Sequence, residues 1–161
     1  MFLCLVDWFN QFQEMMKIYL DNCCFNRPFD DQTQIRIKLE TEAKLKIQAD
    51  IQDGKYELVW SYILDAENMA NPFEERRRAI RDWKRYSMMY IKENESIVQK
   101  AKMLCSLGIR SKDALHLSCA IFSGCNYFLT TDDRIINKNN LTAEIILTDP
   151  IGFIKEVYND H

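Results

Sequence analysis

The hydrophobic residues of this chain fall into short unbroken runs, separated by longer stretches where apolar residues recur at helical spacing. The first run, KIYLD at 17–21, has no polar alternation and stops on a carboxylate. Such a run reads as a strand covered on both faces, with the acid placed where the strand leaves the sheet. A loop, NCCFNRPFDD, follows. A helix is then predicted over 33–53, with Ile35, Leu39, Leu45, Ile47 and Ile51 as its apolar side and Gly54 as its stop. YELVW at 56–60 is the second strand. Ser61 caps a helix that carries Leu64, Glu67 and Met69 and ends at Asn71-Pro72, because the residue before proline leaves the α region.

A strongly charged helix is predicted over 72–90, with Phe73, Ile80, Trp83 and Met88 as buried positions. Another covers 96–107 and stops at Gly108. Ser111 caps a helix over 112–122 whose Leu115, Ile121 and Phe122 are apolar and whose Ala114, Cys119 and Ala120 are small, as suits a helix lying close on a sheet. YFLTT at 127–131 is a strand ending on Asp132, EIILT at 144–148 is the last strand, and a helix starts at Pro150. Strands alternating with helices predict an α/β sandwich around a parallel sheet. Ligands of such sheets bind beyond the carboxyl ends of the strands.

The chain has 161 residues, 47% hydrophobic and 28% charged, which fits a soluble globular domain with a real core. A net charge of -3 provides no bulk attraction to nucleic acid, so any such contact needs a local basic patch. Cys4, Cys23, Cys24, Cys105, Cys119 and Cys125 contain no C-x-x-C pair, and His116 and His161 are the sole histidines. This excludes the usual zinc spacings and predicts reduced thiols in a cytoplasmic protein. The start, MFLCLVDWFNQFQEM, lacks a basic leader region and is too short to span a membrane. We expect residues 1–15 to be an appended extension from an upstream start codon, and 16–161 to form one domain.

Several chemistries lack their motifs. There is no G-x-G-x-x-G, no G-x-x-x-x-G-K-[ST] and no G-x-S-x-G. A phosphatase with an aspartyl nucleophile would need a second Asp where Cys23 stands. Acids, in contrast, converge. Asp21 ends the first strand, Asp132 ends YFLTT, Asp113 lies in the first turn of the intervening helix, and Glu67 lies on the helix after the second strand. Singly these are helix-dipole, solvated or turn acids. Clustered, they repel, and a hard divalent cation relieves the repulsion. Oxygen ligands suit Mg²⁺ or Mn²⁺. Such an ion activates water and polarises a phosphoryl oxygen, which phosphodiester hydrolysis requires.

YLD ending at Asp21, SYILDAE from Ser61 to Glu67, KDALHLSCA around Asp113 and LTTDD around Asp132 together resemble the PIN-domain nucleases, particularly the VapC-like toxins of prokaryotes. The likeness covers 17–153. It implies a PIN-like three-layer α/β/α sandwich and a Mg²⁺- or Mn²⁺-dependent endoribonuclease, the toxin of a toxin–antitoxin system. By this resemblance Asp21, Glu67, Asp113 and Asp132 are the catalytic and metal-binding acids. Thr130 is the hydroxyl that hydrogen-bonds within the site, and Asp133 stands second to Asp132. The family places an amide two residues after the first acid; here Asn22 directly follows Asp21 and Cys23 takes that position. The partners implied are RNA, a cognate antitoxin and a second copy of the chain.

Other residues are assigned by elimination. Asp149-Pro150 is an N-cap pair. Asp65 lies about 200° around the helix from Glu67, so both cannot face one pocket, and the resemblance favours Glu67. His116, three residues after Asp113, is expected to hold a hydrogen bond near the site rather than act as a base. The basic run from Arg76 to Arg85 reads as a solvated face paired with Glu74, Glu75 and Asp82, the alternative being that some of it contacts phosphates beside the acidic pocket. Arg27 and Lys112 are nearer the chemistry and are the candidate phosphate contacts. Two alternatives stay open: a catalytically weak PIN-like module that binds RNA or protein, and a metal-dependent phosphatase of small phosphoesters.

Overall fold

The structure, a computed structural model, describes residues 15–159. The expected N-terminal extension therefore lies outside the described residues, Met15 excepted. Five strands form one sheet: β1 (Lys17–Leu20), β2 (Glu57–Ser61), β3 (Ser87–Ile91), β4 (Tyr127–Leu129) and β5 (Ile146–Thr148). Their order is β3-β2-β1-β4-β5, and every pairing is parallel. The central strand β1 carries Ile18, Tyr19 and Leu20 without exposure, as an uninterrupted apolar run requires. Its ladder continues past the strand, where Asp21 N donates to Leu129 O at 2.9 Å.

Among the described residues, seven α-helices connect the strands, α1 (Asn22–Asn26), α2 (Ile35–Gln52), α3 (Tyr62–Met69), α4 (Glu74–Trp83), α5 (Glu95–Ser106), α6 (Ser111–Phe122) and α7 (Asp133–Ile136), and α8 (Pro150–Tyr158) follows β5. Helix α2 packs against α8, whereas α6 packs against α5 and lies on β2 and β4. Parallel crossovers are right-handed, so the β1-to-β2 and β3-to-β4 connections cover opposite faces. The result is the three-layer α/β/α sandwich expected from the sequence. Connections diverge between β1 and β4, which opens a crevice at the carboxyl ends of these two strands.

Four local expectations are corrected. Residues 72–90 are not one helix. Helix α4 ends at Trp83, a 3₁₀ turn (Lys84–Tyr86) follows, and Ser87–Ile91 form the edge strand β3. SMMYI has a single β-branched residue, Ile91, and so lacks the enrichment that marks an inner strand. Met88 and Phe73, expected to be buried, are exposed, whereas Ile80 is buried. The stretch after Asp21 is helix α1 and a 3₁₀ turn (Arg27–Phe29) rather than an open loop. Ser111 is the first residue of α6, whose N-cap is Arg110.

The largest correction concerns α2. Ile35, Leu39 and Leu45 are 77%, 50% and 50% exposed. The buried side carries Glu40, Thr41, Lys44, Ile47, Gln48 and Ile51, spaced at i, i+4 and i+7 like any helix face. Buried charge is tolerated when it is paired. Glu40 accepts from Nε of both Arg27 and Arg36 at 2.6 Å.

Candidate functional site: an acidic crevice at the sheet edge

Asp21 sits where β1 turns into α1, as the N-cap of that helix. Its Oδ1 accepts from its neighbour's backbone, Asn22 N, at 2.8 Å. Its Oδ2 accepts from Thr130 Oγ1 at 2.9 Å and lies 3.4 Å from Cys23 Sγ. Thr130 follows β4, so the hydroxyl ties the ends of the two central strands together. Burial raises the Asp21 carboxyl above its usual range, and the nearby Glu67 adds to this, against the pull of His116 and Thr130.

Glu67 arrives from the opposite wall. Ser61 closes β2 and caps α3, accepting from Leu64 N at 3.3 Å, and this orients the helix over the crevice. Glu67 Oε2 accepts from Asn22 Nδ2 at 3.2 Å and lies 3.9 Å from Lys112 Nζ. Glu67 Oε1 is hydrogen-bonded to His116 Nε2, which also lies 3.9 Å from Asp21 Oδ1. Burial pushes the Glu67 carboxyl up, but His116, Lys112 and Asn22 together outweigh it and hold it below the usual range. The ionised carboxylate accepts, so Nε2 carries the proton. Nδ1 then accepts from the Tyr19 hydroxyl 2.6 Å away, whose oxygen is 2.6 Å from Ser61 Oγ. Burial pushes the Tyr19 phenol well up, so it stays a donor. A buried relay thus runs Ser61, Tyr19, His116, Glu67.

The other two acids are held differently. Asp113 stands in the first turn of α6 and pairs with Arg110, Nε to Oδ2 at 3.0 Å. Arg110 also reaches Asp132 Oδ2 at 3.0 Å. Asp132 caps α7 and accepts from Arg134, which holds its carboxyl below the usual range. Its own backbone N–H donates to Thr130 Oγ1 at 3.1 Å. Asp21 and Asp132 are therefore linked through Thr130, and Asp132 and Asp113 through Arg110.

The remaining candidates separate clearly. Asp133 turns away and pairs with Arg36 through both oxygens, at 2.6 and 2.7 Å. Arg27 is engaged by the buried Glu40 and by Asp30. Lys112 is exposed beside Glu67. Asp65 accepts from Trp60, Lys84 and Tyr90, and Asp149 caps α8 through Gly152 N at 2.6 Å. From the basic run, Arg76 donates to Phe29 O, Arg77 to Asn71 O and Arg78 to Glu74.

A metal ion fits this crevice. One ligand atom from each of Asp21, Glu67 and His116 lies within 4.8 Å of the others. The imidazole nitrogen is already engaged by Glu67, which leaves oxygen donors. Asn22 Oδ1 is buried without a hydrogen-bond partner, an acceptor that a cation or its water would satisfy. Carboxylate and amide oxygens make a hard donor set, suited to Mg²⁺ or Mn²⁺ rather than zinc. Asp113 and Asp132 stand outside this group; Asp113 lines a separate cavity of about 190 Å³ with Arg110 and Arg134, and Asp132 pairs with both arginines.

The sequence reading did not single out Tyr19, Arg110 or Arg134 as parts of the site. Tyr19 had a signal: residues two apart on a strand share a face, so Tyr19 points as Asp21 does. Arg110, three residues before Asp113, also had helical proximity to recommend it. Arg134 has none, because its role depends on the short turn after β4.

No family model and no curated protein matches the chain. Among solved structures, it is similar to a chain of VapBC2 from Rickettsia felis bound to a DNA fragment from its promoter. The TM-score is 0.52 at 14% identity, over 83% of this chain and 98% of that one. A five-stranded parallel sheet in the order β3-β2-β1-β4-β5, covered on both faces and superposable on that structure, is a PIN-like α/β/α sandwich.

Proposed function

We propose that the chain is a Mg²⁺- or Mn²⁺-dependent endoribonuclease and the toxin of a toxin–antitoxin pair. The observation that carries this reading is the crevice itself. Asp21 and Glu67 meet with Asn22 and His116 at the diverging ends of β1 and β4, with an unsatisfied buried oxygen among them. Asp21, Glu67 and Asn22 would hold the ion, with Asp113 and Asp132 completing the acidic wall. A bound divalent cation supplies Lewis-acid activation of water and neutralises charge on phosphate oxygens.

The chain's own groups do the rest. Thr130 and Asn22 N fix the Asp21 carboxylate, and His116 fixes Glu67. Water attacks phosphorus and the bond to the leaving oxygen breaks; the proton that an acid takes from the water goes on to the leaving oxygen, giving a phosphomonoester and a free hydroxyl. Lys112, Arg110 and Arg134 are exposed around the crevice and would receive the phosphates of a polyanion. The toxin assignment and a cognate antitoxin partner draw on the likeness to a VapBC2 structure; a second copy of the chain is a partner that the family resemblance alone suggests. The test is cleavage of mixed RNAs with Mg²⁺ or Mn²⁺, wild type against Asp113→Asn. Equal cleavage by both sinks the reading.

One observation favours a second reading, a PIN-like module that binds RNA or protein without useful catalysis. Asp113 and Asp132 are neutralised by Arg110 and Arg134 rather than left open to a cation. Calorimetric titration with Mn²⁺ separates the two. Saturable binding supports the nuclease; no heat at millimolar Mn²⁺ supports the module.

A further inference from the structure

On the opposite face of the sheet from His116, a cavity of about 220 Å³ lies between α1, α2 and α4. Its walls are apolar, with Phe25, Phe29, Ile80 and Trp83 among them. Two polar side chains from α2 also line it, Lys44 and Gln48, each 3% exposed. They are four residues apart and so share one helix side.

Both are donors without acceptors. Gln48 Nε2 is buried with no hydrogen-bond partner. Lys44 has neither a hydrogen bond nor an ion pair among the described residues. Its ammonium faces rings instead, 5.5 Å from the Phe25 centroid and 6.0 Å from that of Trp83. The fold pairs two of its other buried charges. Glu40 has Arg27 and Arg36, and Asp50 has Lys46, Lys55 and the Tyr158 hydroxyl. An unpaired buried ammonium is costly, and burial pushes the Lys44 amine down to about 8.

We infer that this cavity is a binding site for a small apolar carboxylate, with the acid on Lys44 Nζ and Gln48 Nε2 and the body against the aromatic walls. A carboxylate supplies acceptor oxygens to both donors and a single negative charge to the single ammonium. A phosphate dianion would bring more charge and more acceptors than these two groups answer. The cavity equals roughly seven waters of liquid volume, which sets the ligand near the size of a phenyl-substituted short-chain acid. Such sites are mostly apolar with a few placed polar groups. This inference is independent of the acidic crevice and of any nuclease activity.

The test is calorimetric titration of the full chain with 3-phenylpropanoate and with its uncharged analogue 3-phenylpropanamide at neutral pH. We expect saturable binding of the acid, at least about tenfold tighter than the amide. Lys44→Met should abolish this preference, and Gln48→Leu should weaken acid binding by about fivefold while circular dichroism stays unchanged. Equal affinity for acid and amide overturns the site, as does no binding of the acid up to roughly 10 mM. Acid binding unchanged in Lys44→Met overturns it too. The acid-against-amide comparison needs only the wild-type protein and decides the matter even if a variant does not fold.

Discussion

Glu67 accepts a hydrogen bond from Nε2 of His116, a residue 49 positions away on another helix. This bond joins the α3 wall of the crevice to the α6 wall. It also makes His116 a positioning residue, since its other nitrogen is occupied by Tyr19. His116→Ala removes one hydrogen bond from Glu67, which keeps Asn22, and one from the buried Tyr19 hydroxyl, which keeps Ser61. A lost hydrogen bond costs about 0.5–1.5 kcal/mol, and about 1.5–3 kcal/mol where one partner is charged, as Glu67 is. We therefore expect urea denaturation to show a loss of about 2–5 kcal/mol. Tyr19→Phe removes only the far end of the relay and should lose less stability, with a smaller fall in RNA cleavage. Equal stability of wild type and His116→Ala would contradict the relay.

Thr130 serves Asp21 and the backbone N–H of Asp132 with one hydroxyl. Thr130→Val keeps the shape and removes both bonds. Supporting residues of this kind typically change metal affinity by about 10–100-fold. Mn²⁺ affinity in Thr130→Val should fall within that range, measured by calorimetry. An unchanged affinity would show that Asp21 is not held for a cation.

Arg110 bridges Asp113 and Asp132. If it competes with a cation for these carboxylates, Arg110→Ala should bind Mn²⁺ more tightly. If it also receives phosphate, the same variant should bind RNA more weakly, with the salt dependence reduced by about one counterion. The two effects have opposite signs, so one variant read by metal titration and by RNA binding tests both roles. Weaker Mn²⁺ binding would give Arg110 a purely architectural part.

Much of this was legible in the sequence, and the reasons are specific. KIYL is apolar throughout because β1 is central and covered on both faces, so the run announces itself. Gly54, Gly108 and Gly124 mark helix ends because each adopts positive φ there, between 74° and 91°. Asp21 and Glu67 come together because the end of β1 and the helix capped by Ser61 meet at one edge, whereas Asp113 and Asp132 are held apart by Arg110 and Arg134. Strand β3 was hidden, since SMMYI lies on the sheet edge with Met88 and Tyr90 in solvent, and methionine suits a helix equally well. The buried side of α2 was hidden for another reason. Glu40, Lys44 and Gln48 look like solvent residues, and only their packing against Arg27, Phe25, Trp83 and the neighbouring helices makes them interior. Arginine traffic around Asp113 and Asp132 depends on turns that no periodicity records.

Lys44 yields a stability prediction with a definite sign. Its amine titrates near 8 when folded and near 10.5 otherwise. Below pH 8 both states hold the proton and the burial cost is fully present. Between about 8 and 10.5 the unfolded chain alone holds it, so stability rises with pH across that window. Lys44→Met removes the cost at every pH. Its stability advantage over wild type should be largest near pH 7 and shrink by about 3 kcal/mol by pH 10.5. Denaturant melts at several pH values give the difference directly. An advantage constant with pH would contradict the unpaired ammonium.

The acidic crevice is tested most directly by RNA cleavage rate as a function of Mn²⁺ concentration, wild type against Asp21→Asn. Asparagine keeps the size of the side chain and its contact with Thr130 while removing the charge. The account predicts saturable, Mn²⁺-dependent cleavage by wild type, abolished by chelator, and a rate at least about 100-fold lower for Asp21→Asn. Cleavage that ignores Mn²⁺, or proceeds equally in both proteins, would contradict it.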